Sequence, residues 1–179
     1  PVHFDEGQYW AYGQELAWGY FSKPPGVAAL IEATTELFGD TAFGLRVSSP
    51  VMHAVIGWMI FLVGRRLLDA RTGFWAAAGY TAAPGVTVSA MLVTTDPPMM
   101  AAGAVALYAM VRAGSAEGRA ALGWWALTGA MIGLGFLAKY TALAFAGGAI
   151  GYGLFSARGR DWRGAGVALG VGTAVADRK

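Results

Sequence analysis

The fold is decided by residues 47–68, which read VSSPVMHAVIGWMIFLVGRRLL. A transmembrane helix needs about 20 consecutive, mostly apolar residues, and this run supplies them. The composition agrees, because 56% of the 179 residues are hydrophobic and 13% are charged, whereas soluble domains carry about 25% charged residues. The run therefore predicts a membrane-spanning helix in a helical membrane protein.

Further apolar runs follow this first one along the chain. They are residues 73–94, 98–111, 122–138, 141–155 and 164–176. Pro84 predicts a kink in the second run, because proline removes a backbone donor from a helix. The pattern predicts an all-α, polytopic transmembrane bundle in residues 47–179. It has five spans, or six if residues 164–176 form one.

Arginines mark alternate connections between these runs. They are Arg65, Arg66 and Arg71 after the first run, Arg112 and Arg119 after the third, and Arg158, Arg160 and Arg163 after the fifth. Cytoplasmic loops of membrane proteins carry an excess of Lys and Arg, so this side is predicted to be cytoplasmic. Residues 1–46 and Asp96 then share the extracytoplasmic side.

Residues 1–46 differ from the rest of the chain, since they contain six of its eleven acidic residues. We expect an extracytoplasmic loop with two short amphipathic helices at the membrane interface. Asp5 is expected to cap the first helix, with Gln8 completing a capping box, and Pro24-Pro25 separates the two helices. Tyr9, Tyr12 and Leu16 are expected on one face of the first helix. The second is predicted to have Val27, Leu30, Ile31, Thr34, Leu37 and Phe38 on one side, Glu32 and Glu36 on the other, and a turn at Gly39-Asp40.

Pairs of glycines four residues apart recur in the apolar runs. They are Gly129 and Gly133, Gly147 and Gly151, and Gly166 and Gly170. Small residues at this spacing let two helices approach closely. The pairs therefore predict helix packing rather than chemistry.

Two acidic positions, Asp5-Glu6 and Asp96, are candidates for chemistry. A carboxylate at the membrane edge accepts a proton from an attacking hydroxyl or binds a metal. Asp96 precedes Pro97, and a residue before proline disfavours the helical conformation, so Asp96 is expected in the break between two spans. The structural alternative is that each acid caps or favours the start of a helix.

Two lysines are candidates for binding an anion. Lys23 precedes Pro24-Pro25, which hold its backbone extended; its ammonium binds a phosphate or reaches the lipid headgroups. Lys139, followed by Tyr140, interrupts an apolar run, where a charge costs about 2.5–3.5 kcal/mol and usually has a partner. Asp96 or a lipid phosphate would serve, unless residues 139–140 are a simple loop.

The histidines do not predict a zinc site, although His3 lies near Asp5 and a metal site that includes both stays open. The chain has no cysteine, and His3 and His53 lack the spacing of zinc ligands. His53 lies inside the first apolar run and is expected to be hydrogen-bonded within the structure. The sequence also contains no phosphate-binding glycine loop and no basic patch for nucleic acid.

Several segments together resemble a known family. Asp5-Glu6 is followed by an aromatic run, then by GYFSKPP at 19–25, LFGD at 37–40, Arg46, TDPP at 95–98 and GLGFLAKYT at 133–141. In this order they resemble the membrane glycosyltransferases of the protein O-mannosyltransferase and aminoarabinose-transferase kind. These are glycosyltransferase family 39 and its relatives, which have the GT-C fold. The resemblance covers nearly the whole chain.

This resemblance implies an inverting glycosyltransferase that moves a sugar from a polyprenyl-phosphate donor to an acceptor on the extracytoplasmic face. It implies catalytic roles for Asp5, Glu6 and Asp96, and substrate binding by Lys23, Tyr20, Lys139 and Tyr140. The catalytic carboxylate of Asp5 would orient or deprotonate the acceptor hydroxyl. The two lysines would hold the carrier phosphate and stabilise it as it leaves.

The resemblance also implies an integral protein of the bacterial inner membrane. Its partners would be the lipid bilayer, the polyprenyl-phosphate-linked sugar donor and a lipid, protein or polysaccharide acceptor, with no nucleic acid. It fixes no cofactor and leaves a divalent cation open. Because the family is much longer, we expect a span before Pro1 and further spans after Lys179.

Two other classes of protein share some of these features. A transporter or flippase of a lipid-linked or anionic substrate also has charges and broken helices in the membrane. Its charges are expected near the midplane, whereas those predicted here lie at one face. A non-catalytic assembly subunit would need only the small-residue packing motifs.

Overall fold

The computed structural model describes residues 4–15, 17, 19–20, 23–155 and 162–177. Every regular element in these ranges is a helix. The α-helices are α1 Phe4–Gln14, α2 Gly26–Phe38, α3 Ala42–Arg46, α4 Ser48–Leu67, α5 Ala70–Ala82, α6 Pro84–Ala90, α7 Asp96–Ala113, α8 Gly118–Ala138, α9 Leu143–Phe155 and α10 Trp162–Ala176. A single 3-10 turn, Tyr140–Ala142, lies between α8 and α9. The predicted all-α fold is confirmed.

The helix breaks follow the sequence signals. Pro84 occupies the first turn of α6, and Ala83 before it is extended, so the second apolar run is divided into α5 and α6. Two segments within the described ranges, Ala42–Leu67 and Gly118–Ala138, are long and apolar enough to cross a membrane by length and composition. The remaining helices are shorter or less apolar. The count of five or six spans therefore stays a prediction.

The central helix of the bundle is α8, which packs against α7 and α10, while α4 packs against α5 and α7. A Cβ on Gly133 would lie 2.7 Å from the carbonyl oxygen of Gly172, and one on Gly129 would overlap the carbonyl of Ala168. The close packing predicted from this glycine pair is confirmed. For the other two pairs it stays a prediction, because in the part of the chain that the structure describes Gly147, Gly151, Gly166 and Gly170 have no neighbouring atom within 4 Å of a Cβ.

The arginines of two connections gather at one end of the bundle. The Arg66 guanidinium donates a hydrogen bond to the Ser115 hydroxyl at 2.8 Å, which joins the last turn of α4 to the loop after α7. Arg112 lies near the end of α7, with its guanidinium 4.6 Å from the centre of the Trp124 ring. We call this the arginine end. Of the third connection, Arg158 and Arg160 lie outside the described residues.

The start of α1 differs from the prediction. Asp5 lies inside the first turn rather than at the cap, because α1 already includes Phe4. The Gln8 side chain donates to the Tyr12 hydroxyl at 2.9 Å. The predicted capping box is therefore wrong, because it requires Asp5 to be the residue that precedes the helix. Of the predicted aromatic face, Tyr9 is buried, and Leu16 lies outside the described residues.

The limits of α2 are as predicted, and its predicted buried face is confirmed for Val27 and Ile31 but not for Leu37 and Phe38. The helix follows Pro25 and ends at Gly39, whose φ of 78° is a conformation that favours glycine. Its buried residues are Val27, Ala28 and Ile31, whereas Leu37 and Phe38 are exposed. The face turns because α1 comes close at Gly13, where a Cβ would lie 3.7 Å from the Glu32 amide nitrogen. This approach also leaves one Glu32 carboxylate oxygen buried, whereas the sequence placed Glu32 on the polar side.

Candidate active site

The side chain of Glu6 joins three separate segments of the chain. It is 0% exposed, and it accepts two hydrogen bonds from the Arg46 guanidinium, at 2.8 Å to Oε1 and 2.6 Å to Oε2. The backbone N–H of Val93, between α6 and α7, donates to the same Oε1 at 3.1 Å. Two-point arginine–carboxylate pairs are strong and directional. Glu6 thus fixes α1 against the segment that leads to Asp96.

The partner of Lys139 is Asp96. The Lys139 ammonium nitrogen lies 2.6 Å from Asp96 Oδ1. Asp96 is the first residue of α7, and Lys139 follows the last residue of α8 with an extended backbone. The side chains remain 37% exposed for Lys139 and 48% for Asp96. A ligand can therefore approach both charges. The sequence predicted Asp96 or a lipid phosphate as the partner of Lys139, and in the structure the partner is Asp96.

The Pro24-Pro25-Gly26 segment packs against the end of α8. A Cβ on Gly26 would lie 2.7 Å from the Leu137 carbonyl oxygen, so a larger residue would force the two segments apart. Leu137 lies two residues before Lys139. This contact brings the loop that carries Lys23 to the end of the bundle where Lys139 lies. The Lys23 ammonium is 5.7 Å from the centre of the Tyr9 ring, within the range of a cation–π contact.

Asp5 lies at the same end as Asp96. It is partly exposed in the first turn of α1, next to the buried Glu6. Successive residues of a helix point about 100° apart, so Asp5 lies on the flank of α1 when Glu6 faces inward. Asp96 follows three residues after Val93, the residue that donates to Glu6. The two acids are thus brought to one end of the bundle, opposite the arginine end.

The two tyrosines predicted to bind substrate have different surroundings. The Tyr20 ring stacks on Tyr12 with the ring centres 4.1 Å apart, and its hydroxyl donates to the Tyr12 carbonyl at 2.6 Å. These contacts hold the loop after α1. Tyr140 is half-exposed beside Phe136 and directly follows Lys139. Of the two, Tyr140 is the better placed to meet a ligand near the ion pair.

Sequence reasoning missed two features of this region. The pairing of Glu6 with Arg46 was not predicted, although a charge at the border between loop and span was a signal for it. His53 was expected to be hydrogen-bonded, which is confirmed, but its partners Tyr80 and Ser89 were not foreseen. In the ranges the structure describes, no three His, Asp or Glu side chains are grouped as metal ligands, and His3 lies outside those ranges.

Comparison with known proteins gives the fold and the family. The chain matches the crystal structure of ArnT from Cupriavidus metallidurans in the apo state with a TM-score of 0.82, at 23% identity, over 98% of this chain and 36% of that one. This likeness shows that the two share a fold. It agrees with the GT-C architecture that the sequence predicts.

Sequence relatives point the same way. The chain is 34% identical to lipid A galacturonosyltransferase RgtD of Rhizobium johnstonii, over 96% of this chain and 36% of the relative. It is 32% identical to the undecaprenyl phosphate-alpha-4-amino-4-deoxy-L-arabinose arabinosyl transferase of Pseudomonas aeruginosa, over 73% of this chain and 24% of the relative. The chain thus spans about a third or less of the length of these relatives. Residues 22–176 match the family described as dolichyl-phosphate-mannose-protein mannosyltransferase, and the chain belongs to that family.

Proposed function

We propose that the chain carries active-site residues of a membrane glycosyltransferase. This enzyme would move a sugar from a polyprenyl-phosphate donor to an acceptor on the extracytoplasmic face, with inversion at the anomeric carbon. The observation that carries the proposal is the accessible Asp96–Lys139 ion pair at the end where α1 presents Asp5. The relatives support it, because one is named for an undecaprenyl-phosphate-linked sugar and another for lipid A.

In the proposed reaction Asp5 acts as the general base. It accepts the proton of the acceptor hydroxyl while the hydroxyl oxygen attacks the anomeric carbon of the donor sugar. The bond from this carbon to the acceptor oxygen forms as its bond to the phosphate oxygen breaks. The electron pair of the broken bond leaves with the polyprenyl phosphate. A single displacement of this kind inverts the anomeric centre and needs no further reagent.

Lys139 stabilises the departing phosphate in this proposal. Negative charge grows on the phosphate as the bond breaks, and a cation fixed in advance lowers the free energy of that transition state. Asp96 holds the ammonium at 2.6 Å and so fixes its position before the donor arrives. Lys23, carried by the loop that packs on the end of α8, supplies a second cation. Tyr140 would contact the donor beside Lys139.

Glu6 has a positioning role in the proposal. Its carboxylate is buried and bound to Arg46 and Val93, so it holds α1 in place rather than contacting substrate. The helix start that presents Asp5 is thereby set relative to Asp96. The two neighbouring acids thus have different roles, because Glu6 faces the interior and Asp5 lies on the flank of the helix.

The placement of the charges favours transfer over transport. Asp96 begins α7 and Lys139 follows α8, so both lie at helix ends. A transporter is expected to bind its substrate near the bilayer midplane. The arginine end lies opposite, and the positive-inside rule makes that end cytoplasmic. Both features support a site on the extracytoplasmic side of the bacterial inner membrane.

The proposal is tested with Asp5→Asn in the full-length protein. Membranes containing it are supplied with lipid A and with undecaprenyl-phosphate-linked aminoarabinose or galacturonic acid, and sugar transfer is measured. We expect transfer to fall by about 10²–10⁴-fold, the usual contribution of a general base, with unchanged binding of undecaprenyl phosphate. Glu36→Gln, an exposed acid on α2, is the control. Unchanged transfer by Asp5→Asn, or no transfer by the unaltered protein, would count against the proposal.

A further inference from the structure

We propose that His53 is a positioning residue, which holds the broken helix α5–α6 and through it sets the place of Asp96. This inference rests on the proposed function for its catalytic consequence. His53 lies on α4, buried, and its hydrogen-bond partners are Tyr80 and Ser89 rather than charged residues of the candidate site. Its effect on the reaction would therefore pass through the backbone between Ser89 and Asp96.

The imidazole of His53 bridges the two sides of the helix break. Nδ1 lies 2.7 Å from the hydroxyl of Tyr80, which is on α5 before Pro84. Nε2 lies 3.1 Å from the hydroxyl of Ser89, which is on α6 after Pro84. One rigid ring thus contacts both arms of the break. Its two nitrogens set how α6 lies relative to α5.

The hydrogen bonds of this group are mutually satisfied. A neutral imidazole has one donor and one acceptor nitrogen, and each hydroxyl both donates and accepts. Tyr80 and Ser89 can therefore pair with His53 in either tautomer. Ser49, one turn before His53 on α4, donates from its hydroxyl to the Ser89 carbonyl at 2.9 Å. Two side chains of α4 thus hold the same residue of α6.

The hydrogen bonds to Ser89 matter because α6 buries little apolar surface. Over its length from Pro84 to Ala90, α6 has no buried residue, and the buried residue of α5 is Gly73, at the far end from the break. Within the described ranges α6 packs only lightly against α4 and α5. With so little apolar burial, the polar contacts to Ser89 are what fix α6 against α4.

Ser89 is connected to the candidate site by a short backbone segment. Val93, four residues after Ser89, donates its backbone N–H to Glu6, and Asp96 follows three residues later. The segment from 89 to 96 is thus held at Ser89 by His53 and Ser49 and at Val93 by Glu6. Releasing the first of these anchors leaves the segment held at Val93 alone, which gives the start of α7, and Asp96 with it, more freedom to move.

The first experiment measures the position of α6 without any enzymatic assay. Spin labels are attached in the full-length protein at Met91 and Leu67, which are 66% and 60% exposed. We expect Tyr80→Phe and His53→Phe to broaden the distribution of distances between the labels. Thr81→Val is the matched control, because the Thr81 hydroxyl bonds only to carbonyls of its own helix. An unchanged distribution in Tyr80→Phe would overturn the inference, whatever reaction the protein catalyses.

The second experiment asks whether the effect reaches Asp96. In the transfer assay we expect Tyr80→Phe to lower kcat by about ten- to a hundredfold, the loss that a displacement of about 1 Å can cause, with KM for the donor nearly unchanged. In an Asp96→Asn background, the same change should lower the residual rate little further, since coupled residues are not additive. Equal losses in both backgrounds would mean a general structural role and would overturn the inference. Tyr80→Phe keeps the ring, so the comparison does not depend on the folding of His53→Phe.

Discussion

The Lys139 ammonium lies 2.6 Å from the Asp96 carboxylate, although 43 positions separate the two residues in sequence. The pair joins the amino-terminal end of α7 to the carboxy-terminal end of α8. A carboxylate at a helix start and an ammonium at a helix end are each favoured by the dipole of their own helix. Both charges are therefore stabilised where they stand, while they remain accessible to a ligand.

Removing either member of this pair should affect activity far more than stability. A half-exposed ion pair contributes about 0–1 kcal/mol to the free energy of unfolding, whereas a cation at the leaving phosphate supplies a factor of about 10²–10³ in kcat. We expect Lys139→Gln and Asp96→Asn to lose transfer of this order, with unfolding midpoints near that of the unaltered protein. Sugar transfer and thermal unfolding of the full-length protein measure the two quantities. A large drop in the midpoint would show instead that the pair is structural.

For Glu6 we expect a substitution to lower the free energy of unfolding clearly, unlike substitutions in the Asp96–Lys139 pair. Glu6→Ala leaves the buried Val93 N–H and the partly exposed Arg46 guanidinium without their acceptor, and a buried donor left without its acceptor costs about 1–3 kcal/mol of unfolding free energy. Replacing both residues, as Glu6→Met with Arg46→Met, should recover part of that loss, because the Arg46 charge is no longer left without its partner and apolar packing replaces the pair. Thermal unfolding of the full-length protein measures both. Glu36→Ala, at an exposed position of α2, is the control, and equal midpoints for Glu6→Ala and Glu36→Ala would contradict the expectation.

Gly26 should tolerate no side chain. In Gly26→Ala the new Cβ would lie 2.7 Å from the Leu137 carbonyl oxygen, and such overpacking costs about 1–3 kcal/mol. The strain falls on the loop of Lys23 and on the end of α8 before Lys139, so we expect a loss of donor binding as well. Gly123→Ala on α8, the helix that Gly26 touches, meets no described atom within 4 Å and is the control. Undecaprenyl phosphate binding and the unfolding midpoint are the measurements, and equal behaviour of the two variants would contradict the prediction.

Alanine substitutions in two of the glycine pairs should differ in their effect on stability. Gly129→Ala places a Cβ against the Ala168 carbonyl and must push α8 away from α10. We expect it to lower the free energy of unfolding by about 1–3 kcal/mol or more. Gly166→Ala on α10 meets no described atom within 4 Å and should be close to neutral. Thermal unfolding distinguishes them, and a larger loss for Gly166→Ala would show that α10 packs through its other face.

The helices and their breaks were predictable from the sequence, because proline and glycine act locally. Pro84 divides α5 from α6, and Gly39 ends α2, as their backbone chemistry requires. The ion partner of Lys139 was also within reach, since a charge in an apolar run needs a counter-ion and Asp96 was among the candidates. The predicted roles of these residues in catalysis remain predictions.

Contacts between distant segments were not predictable in the same way. The pairing of Glu6 with Arg46 depends on how α1 and α3 are each placed against α2, which no local pattern encodes. For the same reason the buried face of α2 was displaced, because Gly13 of α1 lets the two helices approach on the side of Glu32. The glycine pairs show the limit most clearly. Spacing alone does not reveal which pair has a neighbouring helix.

The carboxylate of Glu6 draws its hydrogen bonds from Arg46 and from Val93, 87 positions further along the chain. Ribosomes deliver residues in order, at about 5–20 each second. The segment that carries Glu6 and Arg46 therefore cannot reach its final arrangement before the residues around Val93 have been synthesised. Until then Glu6 has Arg46 available as a partner but not the N–H of Val93, so its hydrogen bonds are completed only when the end of the second apolar run, residues 73–94, has been synthesised.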